Sequence, residues 1–420
     1  MNSSRLVSRF KTALLLAIIL GLAPPGSLRA QVEYTVTDLG TLGGPADIST
    51  VTAVNDFGQV VGYSTVNNDF SNVHGFLWDN GVMTDLGPLG FGRPTGINDL
   101  HQVILYKDFG VGTFAQAFVW QRGTITPLPT LGGTFSYAAG INNRGQIAGS
   151  ASPAGDATSQ ATVWFFPLPA SRFKLSVTAL GPNTIGGTDS EANGISDNGH
   201  IVGSADLGAI DPVTGFSISH AVSWVNDQMM DLGTLGGPIS YAFGVNNSNQ
   251  ITGWSETATL DPASGLPVVH SFIVQNGVMT DLGTTNPHQV LTFLANGINR
   301  QGQVVGDIAL QYLNYPFTYT LSGGFLWQNG TMIDLDLHIP NPPAYLSSIQ
   351  GINSRGQIVG AANITPEQIH AVLLTPLPGT AVSPATANPR PQGMHRAAAA
   401  NGRQLIRSRT PEGRTVFVVK

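Results

Sequence analysis

The chain has 420 residues, of which only 10% are charged, and it contains 51 glycines and 27 prolines. Its hydrophobic content of 42% excludes an intrinsically disordered chain, which needs low hydrophobicity together with high net charge. It contains no cysteine, so thiol nucleophiles, cysteine metal sites and disulfide switches are excluded. This composition is typical of a folded protein made of many short strands and tight turns.

The formal net charge of −6 conceals an uneven distribution. Residues 31–379 carry 24 acidic and 8 basic residues, whereas residues 380–420 carry one glutamate and seven basic residues. An acidic body of this kind argues against nucleic acid and anionic membranes as its partners.

The first 30 residues are typical of a secretory signal peptide. Arg5, Arg9 and Lys11 form a basic start, and residues 13–23 are an uninterrupted apolar run. Prolines end that run, and Ala30 offers a small residue for cleavage. The apolar run is too short to cross a bilayer, which needs about 20 residues. We therefore expect a secreted protein, extracellular or periplasmic, with no transmembrane segment after cleavage.

Residues 31–379 contain one pattern seven times, most clearly Gly-Ile-Asn-Asn-Arg-Gly-Gln-Ile-Ala-Gly at residues 140–149. A small-residue strand ends in a variant of Gly-Ile-Asn, and a three-residue turn leads into a second strand. The turn ends in glycine in five copies, and in His101 and Asn249 in the other two. Histidine and asparagine are enriched among non-glycine residues at positive φ. The pattern therefore predicts a left-handed backbone at this position, with no catalysis implied.

A long variable loop follows each second strand and leads to an apolar third strand, often headed by His or Gln. A turn, Asn-Gly in three copies, and a fourth strand ending in Asp-Leu-Gly or a weaker form complete most units. The third strands are apolar on both sides, which predicts burial on both faces. The spacing between equivalent residues runs from 43 (Asn55 to Asn98) to 54 (Asn299 to Asn353), as in propeller units.

The two ends of the repeat region complement each other. The seventh unit lacks a fourth strand, whereas residues 34–40 read as a fourth strand with no unit of their own. We therefore predict an all-β, seven-bladed β-propeller of four-stranded antiparallel blades, closed by the N-terminal strand pairing into the last blade. The alternative is an open solenoid with a spare strand at one end. The predicted organisation is a signal peptide at 1–30, the propeller at 31–379, and a largely disordered Pro/Ala-rich linker and basic tail at 380–420.

Three segments of the repeat carry a resemblance to a known family. They are Asp-Leu-Gly-Thr-Leu-Gly-Gly at residues 231–237, Gly-Ile-Asn-Asn-Arg-Gly-Gln at 140–146 and His-Gly-Phe-Leu-Trp at 74–78. Over residues 31–379 the chain resembles the HAF repeats of bacterial extracellular repeat proteins. The resemblance implies export and a β-propeller-like body, and it supplies no catalytic residues.

Strand order places all the length variation at one rim of the propeller, where repeat proteins usually bind their ligands. Aromatic side chains beside Asn, Asp and Ser suit a peptide or glycan surface. The alternative is that these loops fold inward and cover the blade edges. The candidate ligand-binding residues are Phe70, Phe109, Phe114, Phe216, Trp254, Tyr312, Tyr315, Phe317 and Tyr319.

Recurrent histidines head four of the third strands, and aspartates recur in Asp-Leu-Gly. Because the repeat puts each copy in a different blade, they do not converge as metal ligands must. We expect them to make structural hydrogen bonds, and we predict no metal, no cofactor and no catalytic residue. The histidines are His74, His220, His270 and His370, and the aspartates are Asp38, Asp85, Asp231, Asp281 and Asp334.

The sequence therefore predicts a secreted, monomeric, non-enzymatic binding or scaffold module that recognises peptide or glycan through its long-loop face. Local enzyme motifs such as GxSxG and HExxH are absent. The alternative is an exported propeller hydrolase or lyase acting on polysaccharide. It requires two carboxylates from different blades to converge with perturbed pKa values. Its candidates are Asp69, Asp108, Glu256, Asp261 and Asp307.

Overall fold

The computed structural model describes residues 32–44, 46–87, 93–108, 115–167, 174–181, 184–212, 215–262, 265–284, 291–312, 318–339, 345–365, 368–378, 405–409 and 415–419. The regular elements in these ranges are strands, apart from one 3-10 helix at Leu335–His338. The all-β prediction is confirmed. No helix in these ranges is long and apolar enough to cross a bilayer.

Seven antiparallel four-stranded sheets form the blades, and six of them take their four strands in chain order from the channel outwards. Blades 1 and 2 contain β2 (Ser49–Val54), β3 (Val60–Val66), β4 (Asp69–Asp79), β5 (Val82–Asp85), β6 (Arg93–Ile97), β7 (Gln102–Asp108), β8 (Ala115–Gln121) and β9 (Thr124–Pro127). Blades 3 and 4 contain β10 (Gly132–Ile141), β11 (Gln146–Pro153), β12 (Gln160–Phe165), β13 (Ser176–Ala179), β14 (Ser190–Ile195), β15 (Ile201–Ile210), β16 (Ser217–Val225) and β17 (Gln228–Gly233). Blades 5 and 6 contain β18 (Gly236–Val245), β19 (Ile251–Leu260), β20 (Pro267–Gln275), β21 (Val278–Asp281), β22 (Leu291–Ile298), β23 (Val304–Tyr312), β24 (Thr318–Gln328) and β25 (Thr331–Asp334).

Blade 7 joins the two ends of the repeat region. It contains β26 (Leu346–Ile352), β27 (Ile358–Thr365) and β28 (Gln368–Pro376), with β1 (Tyr34–Asp38) as its outer strand. The register of β1 on β28 pairs Tyr34 with Pro376 and Asp38 with Val372. The prediction of a ring closed by the N-terminal strand is confirmed, and the open solenoid is wrong.

The turn between the first and second strands has the backbone that the sequence predicts. His101 has a φ of 60° and Asn249 a φ of 59°, and glycines such as Gly145, with a φ of 74°, take the same place in the other blades. All of them lie in the left-handed region, which glycine adopts without steric cost. The two substitutions therefore reflect backbone geometry.

Each innermost strand contains a β-bulge, seen as a register shift against its neighbour in all seven blades. The glycine of the second strand faces this bulge in six of them. A Cβ at Gly253 would lie 1.9 Å from the carbonyl oxygen of Tyr241 and 2.9 Å from the ring of Phe272. The glycine is needed because the bulge bends the inner strand against it.

The hydrophobic core is divided among the interfaces between adjacent blades. Between blades 2 and 3, for example, Ile104 and Val119 pack against Ala138, Ile147 and Trp164, all of which are buried. Third strands are therefore covered on both faces, as their continuous apolar sequence predicts.

The second-to-third connections are shorter than the sequence predicts. In blade 1, β3 and β4 are joined by Asn67 and Asn68 alone, with φ values of 61° and 54°. Two successive residues at positive φ form a type I′ hairpin turn, which asparagine tolerates. The prediction of a long loop there is wrong, because the strands continue beyond the buried part of the blade, where no hydrophobic alternation marks them.

Two strands lie beyond the seventh blade, β29 (Leu405–Arg409) and β30 (Thr415–Val419), which pair antiparallel with each other. The backbone of β29 pairs with β24 at the end nearest Thr318. The rest of the linker and tail predicted at 380–420 lies outside the described residues.

Candidate functional site

The propeller has two rims with different chemistry. The tight-turn rim carries the first-to-second and third-to-fourth strand turns. The long-loop rim carries the second-to-third connections and the links between blades. The channel opens at the centre of the tight-turn rim, where the innermost strands end.

An asparagine at the end of the innermost strand organises each turn of the tight-turn rim, except in blade 4. Its side-chain oxygen accepts two backbone N–H bonds within the turn; Asn142 accepts from Arg144 and Gln146, both at 3.0 Å. Its Nδ2 donates to the side chain of Gln146 at 2.8 Å and to the carbonyl oxygen of Ser196 in the next blade at 2.9 Å. One side chain thus fixes its own turn and links two blades.

We call these residues the asparagine ring: Asn55, Asn98, Asn142, Asn246, Asn299 and Asn353. Each donates to the backbone of the following blade, and Asn353 closes the circle by donating to the carbonyl oxygen of Asn55 at 2.9 Å. Blade 4 has Ser196 instead, whose shorter side chain bonds within its own turn. The ring of links is therefore interrupted between blades 4 and 5.

The residue that follows each of these positions forms a second circle, the outer polar ring: Asp56, Asp99, Asn143, Asp197, Asn247, Arg300 and Ser354. Five of its backbone N–H groups donate to the side chain of the next member, at 2.8–2.9 Å. The circle is broken at blade 6, because a guanidinium accepts no hydrogen bond. Among the described residues, the N–H groups of Asn247 and Arg300 have no acceptor.

The two rings surround a cavity of about 230 Å³ at the channel mouth. Three consecutive residues of each blade line it: a valine or isoleucine, the asparagine-ring position, and the outer-polar-ring member. The aliphatic residues, Ile97 and Val245 among them, lie one position deeper along the strands. The cavity therefore has an aliphatic floor and a polar mouth.

Charge is distributed unevenly around the mouth. Asp56, Asp99 and Asp197 lie in blades 1, 2 and 4, and Arg300 is the basic residue among those lining the cavity. Burial raises the pKa of Asp99, and the charges of Asp56 and Asp197 raise it further, against the hydrogen bonds that Asp99 accepts. The mouth therefore has an acidic arc opposite one cationic position.

No protein-family model and no curated protein matches the chain. Among solved structures, the WD40 repeats of RRP9 are similar, with a TM-score of 0.44 and 11% identity over 83% of this chain and 100% of that one. An ulvan lyase of polysaccharide lyase family PL25 gives a TM-score of 0.40 and 11% identity, over 82% and 94%. Similarities of this degree say nothing about the activity or ligand of this chain.

The long-loop rim differs from blade to blade. Blades 4 and 5 carry twin hairpins whose tips begin Asp211-Pro212 and Asp261-Pro262. In both, the aspartate N–H bonds to a carbonyl five residues on, at 2.8 Å, and the aspartate is buried. Beside each tip an aliphatic side chain is exposed, Ile210 at 59% and Leu260 at 57%.

The candidate aromatic residues that the structure describes lie in four different blades. Phe70 is 62% exposed at the start of β4, and Phe216 is partly buried at the tip of the blade 4 hairpin. Tyr312 and Tyr319 lie on β23 and β24, and only their backbones are described. The remaining loop aromatics, Phe109, Phe114, Tyr315 and Phe317, lie outside the described residues.

The prediction that Trp254 lies on a loop is wrong. It lies within β19, is 6% exposed, and packs against Ile239, Val269 and Leu294, with the Tyr241 ring 4.7 Å away. Sequence reasoning placed it in the variable segment because polar residues follow it, yet β19 continues through them to Leu260.

The recurrent histidines make the structural hydrogen bonds that the sequence predicts. The Nδ1 atoms of four histidines lie 2.7–3.0 Å from aspartates of the adjacent outer strand: His74 with Asp85, His220 with Asp231, His270 with Asp281, and His370 with Asp38. These aspartates also accept from the backbone N–H two residues on, at 2.7–2.8 Å. No group of three or more His, Asp or Glu in the described ranges could hold a metal ion.

The carboxylates proposed for the enzymatic alternative do not form an accessible pair within the described residues. Burial raises the pKa of Asp307 to about 7, but its side chain accepts from the Ile349 N–H at 2.6 Å and from Asn296 at 3.0 Å. Glu256 and Asp261 are buried, and hydrogen bonds from Ser71 lower the pKa of the exposed Asp69. The side chain of Asp108 lies outside the described residues.

Sequence reasoning missed the outer polar ring and its cavity. The available signal was the residue after each Gly-Ile-Asn variant, which is polar in all seven copies. That position was read as part of a turn, because its partners are 43 to 54 residues away in sequence or, at the ring closure, 298.

Proposed function

We propose that the protein is an exported, non-enzymatic binding module of the HAF-repeat class, which recognises a polypeptide through its long-loop rim. The single observation that carries this proposal is the presence of two similar hairpins, one in blade 4 and one in blade 5. They hold Ile210 and Leu260 exposed at neighbouring positions of the ring.

The exposed groups favour a polypeptide over a glycan. Ile210 and Leu260 are branched aliphatic side chains, which pack against apolar side chains of a partner. A sugar is instead bound through flat aromatic surfaces and converging polar groups. Since the aspartate-closed tips fix the hairpin backbone, the apolar groups are presented without a large cost in conformational entropy.

The test is a selection of displayed peptides on the immobilised full-length chain, in parallel with a glycan array. Selected peptides should bind, and the double variant Ile210→Ser/Leu260→Ser should weaken them at least tenfold. The matched control is Val82→Ser/Val278→Ser, which removes side chains that are 64% and 63% exposed at the edges of outer strands. Equal loss in both variants, or binding to glycans alone, would overturn the proposal.

The hydrolase or lyase alternative has no observation that favours it. Among the carboxylates that the structure describes, Asp307 has the most strongly raised pKa, and it is sealed between blades 6 and 7. Release of new ends from a polysaccharide by the full-length chain would nevertheless contradict a non-enzymatic function.

A further inference from the structure

The cavity at the tight-turn rim lies on the side of the ring opposite to the twin hairpins, and the proposed function does not use it. Its volume, about 230 Å³, is below the range of about 300–1,000 Å³ that is usual for drug-sized ligands. One small molecule fits this space, whereas an oligosaccharide or a folded segment does not.

The lining has three chemically different parts. Asp56, Asp99 and Asp197 form the acidic arc, and Arg300 occupies blade 6 beyond it. The floor is lined by one valine or isoleucine from each blade, whose side chains also pack into the cores between blades. A complementary molecule carries a cationic group, an anionic group and a short apolar part.

The break in the outer polar ring marks the anionic position. In five of the other blades, the side chain of the equivalent residue accepts the N–H of the preceding blade, as Asn247 does for Asp197 at 2.8 Å. At blade 6 that acceptor is replaced by the guanidinium of Arg300, and the Asn247 N–H has no acceptor among the described residues. A carboxylate beside Arg300 would supply the missing acceptor and pair with the cation.

The acidic arc holds the complementary position for an amine. One carboxylate oxygen of Asp56 accepts from the Ser354 N–H at 2.8 Å, and the hydrogen bonds of the described residues leave its second oxygen available. Asp99 and Asp197 share the amide of Asn143 between them, at 2.9 and 3.4 Å, and Asp197 also accepts from the side-chain amide of Asn247 at 3.2 Å. These amides are uncharged and leave the negative charge of the carboxylates in place, so a cation is electrostatically favoured on this side.

We infer that the channel mouth is a binding site for a free amino acid with an aliphatic side chain, its carboxylate at blades 5 and 6, its ammonium group at the acidic arc, and its side chain on the Val/Ile floor. The hydrogen bonds between successive blades hold the polar groups in place before the ligand arrives, which lowers the cost of binding.

The experiment is calorimetric titration of the full-length chain with L-leucine. Isoamylamine, which lacks the carboxylate, and isovalerate, which lacks the amine, are titrated separately. Leucine should bind at least tenfold more tightly than either. No heat with leucine, or equal affinity for leucine and isoamylamine, would overturn the inference.

The decisive variant is Arg300→Asn. It removes the cation and supplies the acceptor that the Asn247 N–H lacks, so the melting temperature should rise while leucine affinity falls at least tenfold. Loss of binding therefore cannot be attributed to unfolding. Asp56→Asn keeps an acceptor for the Ser354 N–H and should weaken leucine severalfold.

The control is Arg144→Asn, which makes the same charge change on the same rim at an exposed residue that does not line the cavity. It should leave leucine affinity within twofold of the unmodified chain. Equal effects of Arg144→Asn and Arg300→Asn would mean that net charge alone governs the interaction, and would contradict the assigned site.

Discussion

The two rims of this propeller are built from the same seven repeats and have opposite characters. At the tight-turn rim, six of seven blades present the same asparagine with the same hydrogen bonds, and the two rings are interrupted only between blades 4 and 7 of the described residues. At the long-loop rim, blade 1 has a two-residue turn whereas blades 4 and 5 extend into longer hairpins. Where a side chain bonds to the next blade, a substitution in one repeat also removes a hydrogen bond of its neighbour. Where the repeats make no such bonds, the sequence of one repeat can change without affecting the others.

The largest expected effect is at the tight-turn rim. Asn142→Ala should lower the free energy of unfolding by about 3–5 kcal/mol, because it leaves several buried donors and acceptors without partners at about 1–3 kcal/mol each. Urea unfolding followed by circular dichroism measures the change. Asn142→Ser, which copies blade 4, should cost about half as much. A loss below about 1 kcal/mol in the alanine variant would contradict the cross-blade role.

The pH dependence of the free energy of unfolding should have opposite signs for two carboxylates, Asp307, which is sealed between blades, and Asp47, which lies at the long-loop rim. Burial raises the pKa of Asp307 from 3.8 to about 7, so the folded state holds a proton that the unfolded state releases. The free energy of unfolding should therefore fall as pH rises from 4 to 7, at most by about 1.4 kcal/mol per unit for this group. Asp307→Asn should remove that slope in denaturant titrations at several pH values.

Asp47, at the long-loop rim, has the opposite sign. Burial tends to raise its pKa, but hydrogen bonds from Gly44, Thr65 and Asn68 outweigh it and the pKa is lowered. Its contribution to the free energy of unfolding is present above the unfolded pKa of 3.8 and is lost as pH falls through the lower folded value.

For Asp307, an unchanged slope of the free energy of unfolding between pH 4 and 7 in the Asp307→Asn variant would contradict the assignment to this residue.

A smaller effect, of the opposite direction, is expected in blade 4. Ser196→Asn would supply the donor that the asparagine ring lacks, because the equivalent side chain in other blades reaches the next backbone carbonyl at 2.9–3.1 Å. We expect a gain of about 1 kcal/mol in the free energy of unfolding, the usual net value of one hydrogen bond. The melting temperature by differential scanning calorimetry measures it, and a decrease would show that blade 4 needs serine.

The smallest effect on stability is expected at the long-loop rim. Ile210→Ser/Leu260→Ser removes side chains that are 59% and 57% exposed, so the free energy of unfolding should change by less than about 0.5 kcal/mol. The same denaturant titration measures it. A loss comparable to that of Asn142→Ala would mean that the hairpin tips pack within the molecule, which would remove the basis for a binding role.

The sequence was sufficient for the features that depend on local backbone geometry. His101 and Asn249 identified the left-handed turn position, and the unmatched N-terminal strand identified the closure. It was insufficient where strands leave the buried body, because hydrophobic alternation ends there although pairing continues. Trp254 was misplaced for that reason.

The cavity could not be predicted for a different reason. Asp56 and Asp99 are ordinary turn residues within their own repeats, and their role depends on hydrogen bonds with the neighbouring blade. Only the ring brings them within hydrogen-bond distance, at 2.9 Å between the Asp56 N–H and the Asp99 carboxylate. A comparison of repeats reveals what they share, whereas this site depends on Arg300, where one copy differs.

The pairing of β1 with β28 also affects the order in which the blades fold. Asp38 and His370 are 332 residues apart in sequence, and their side chains lie 2.9 Å apart only when the last blade is complete. Contacts of such long sequence separation form late, because the loop entropy must be lost first. During synthesis β1 therefore remains unpaired until nearly the whole repeat region has been made. Blade 7 should be the last to gain protection from hydrogen exchange during refolding, and the seam through which the ring first opens.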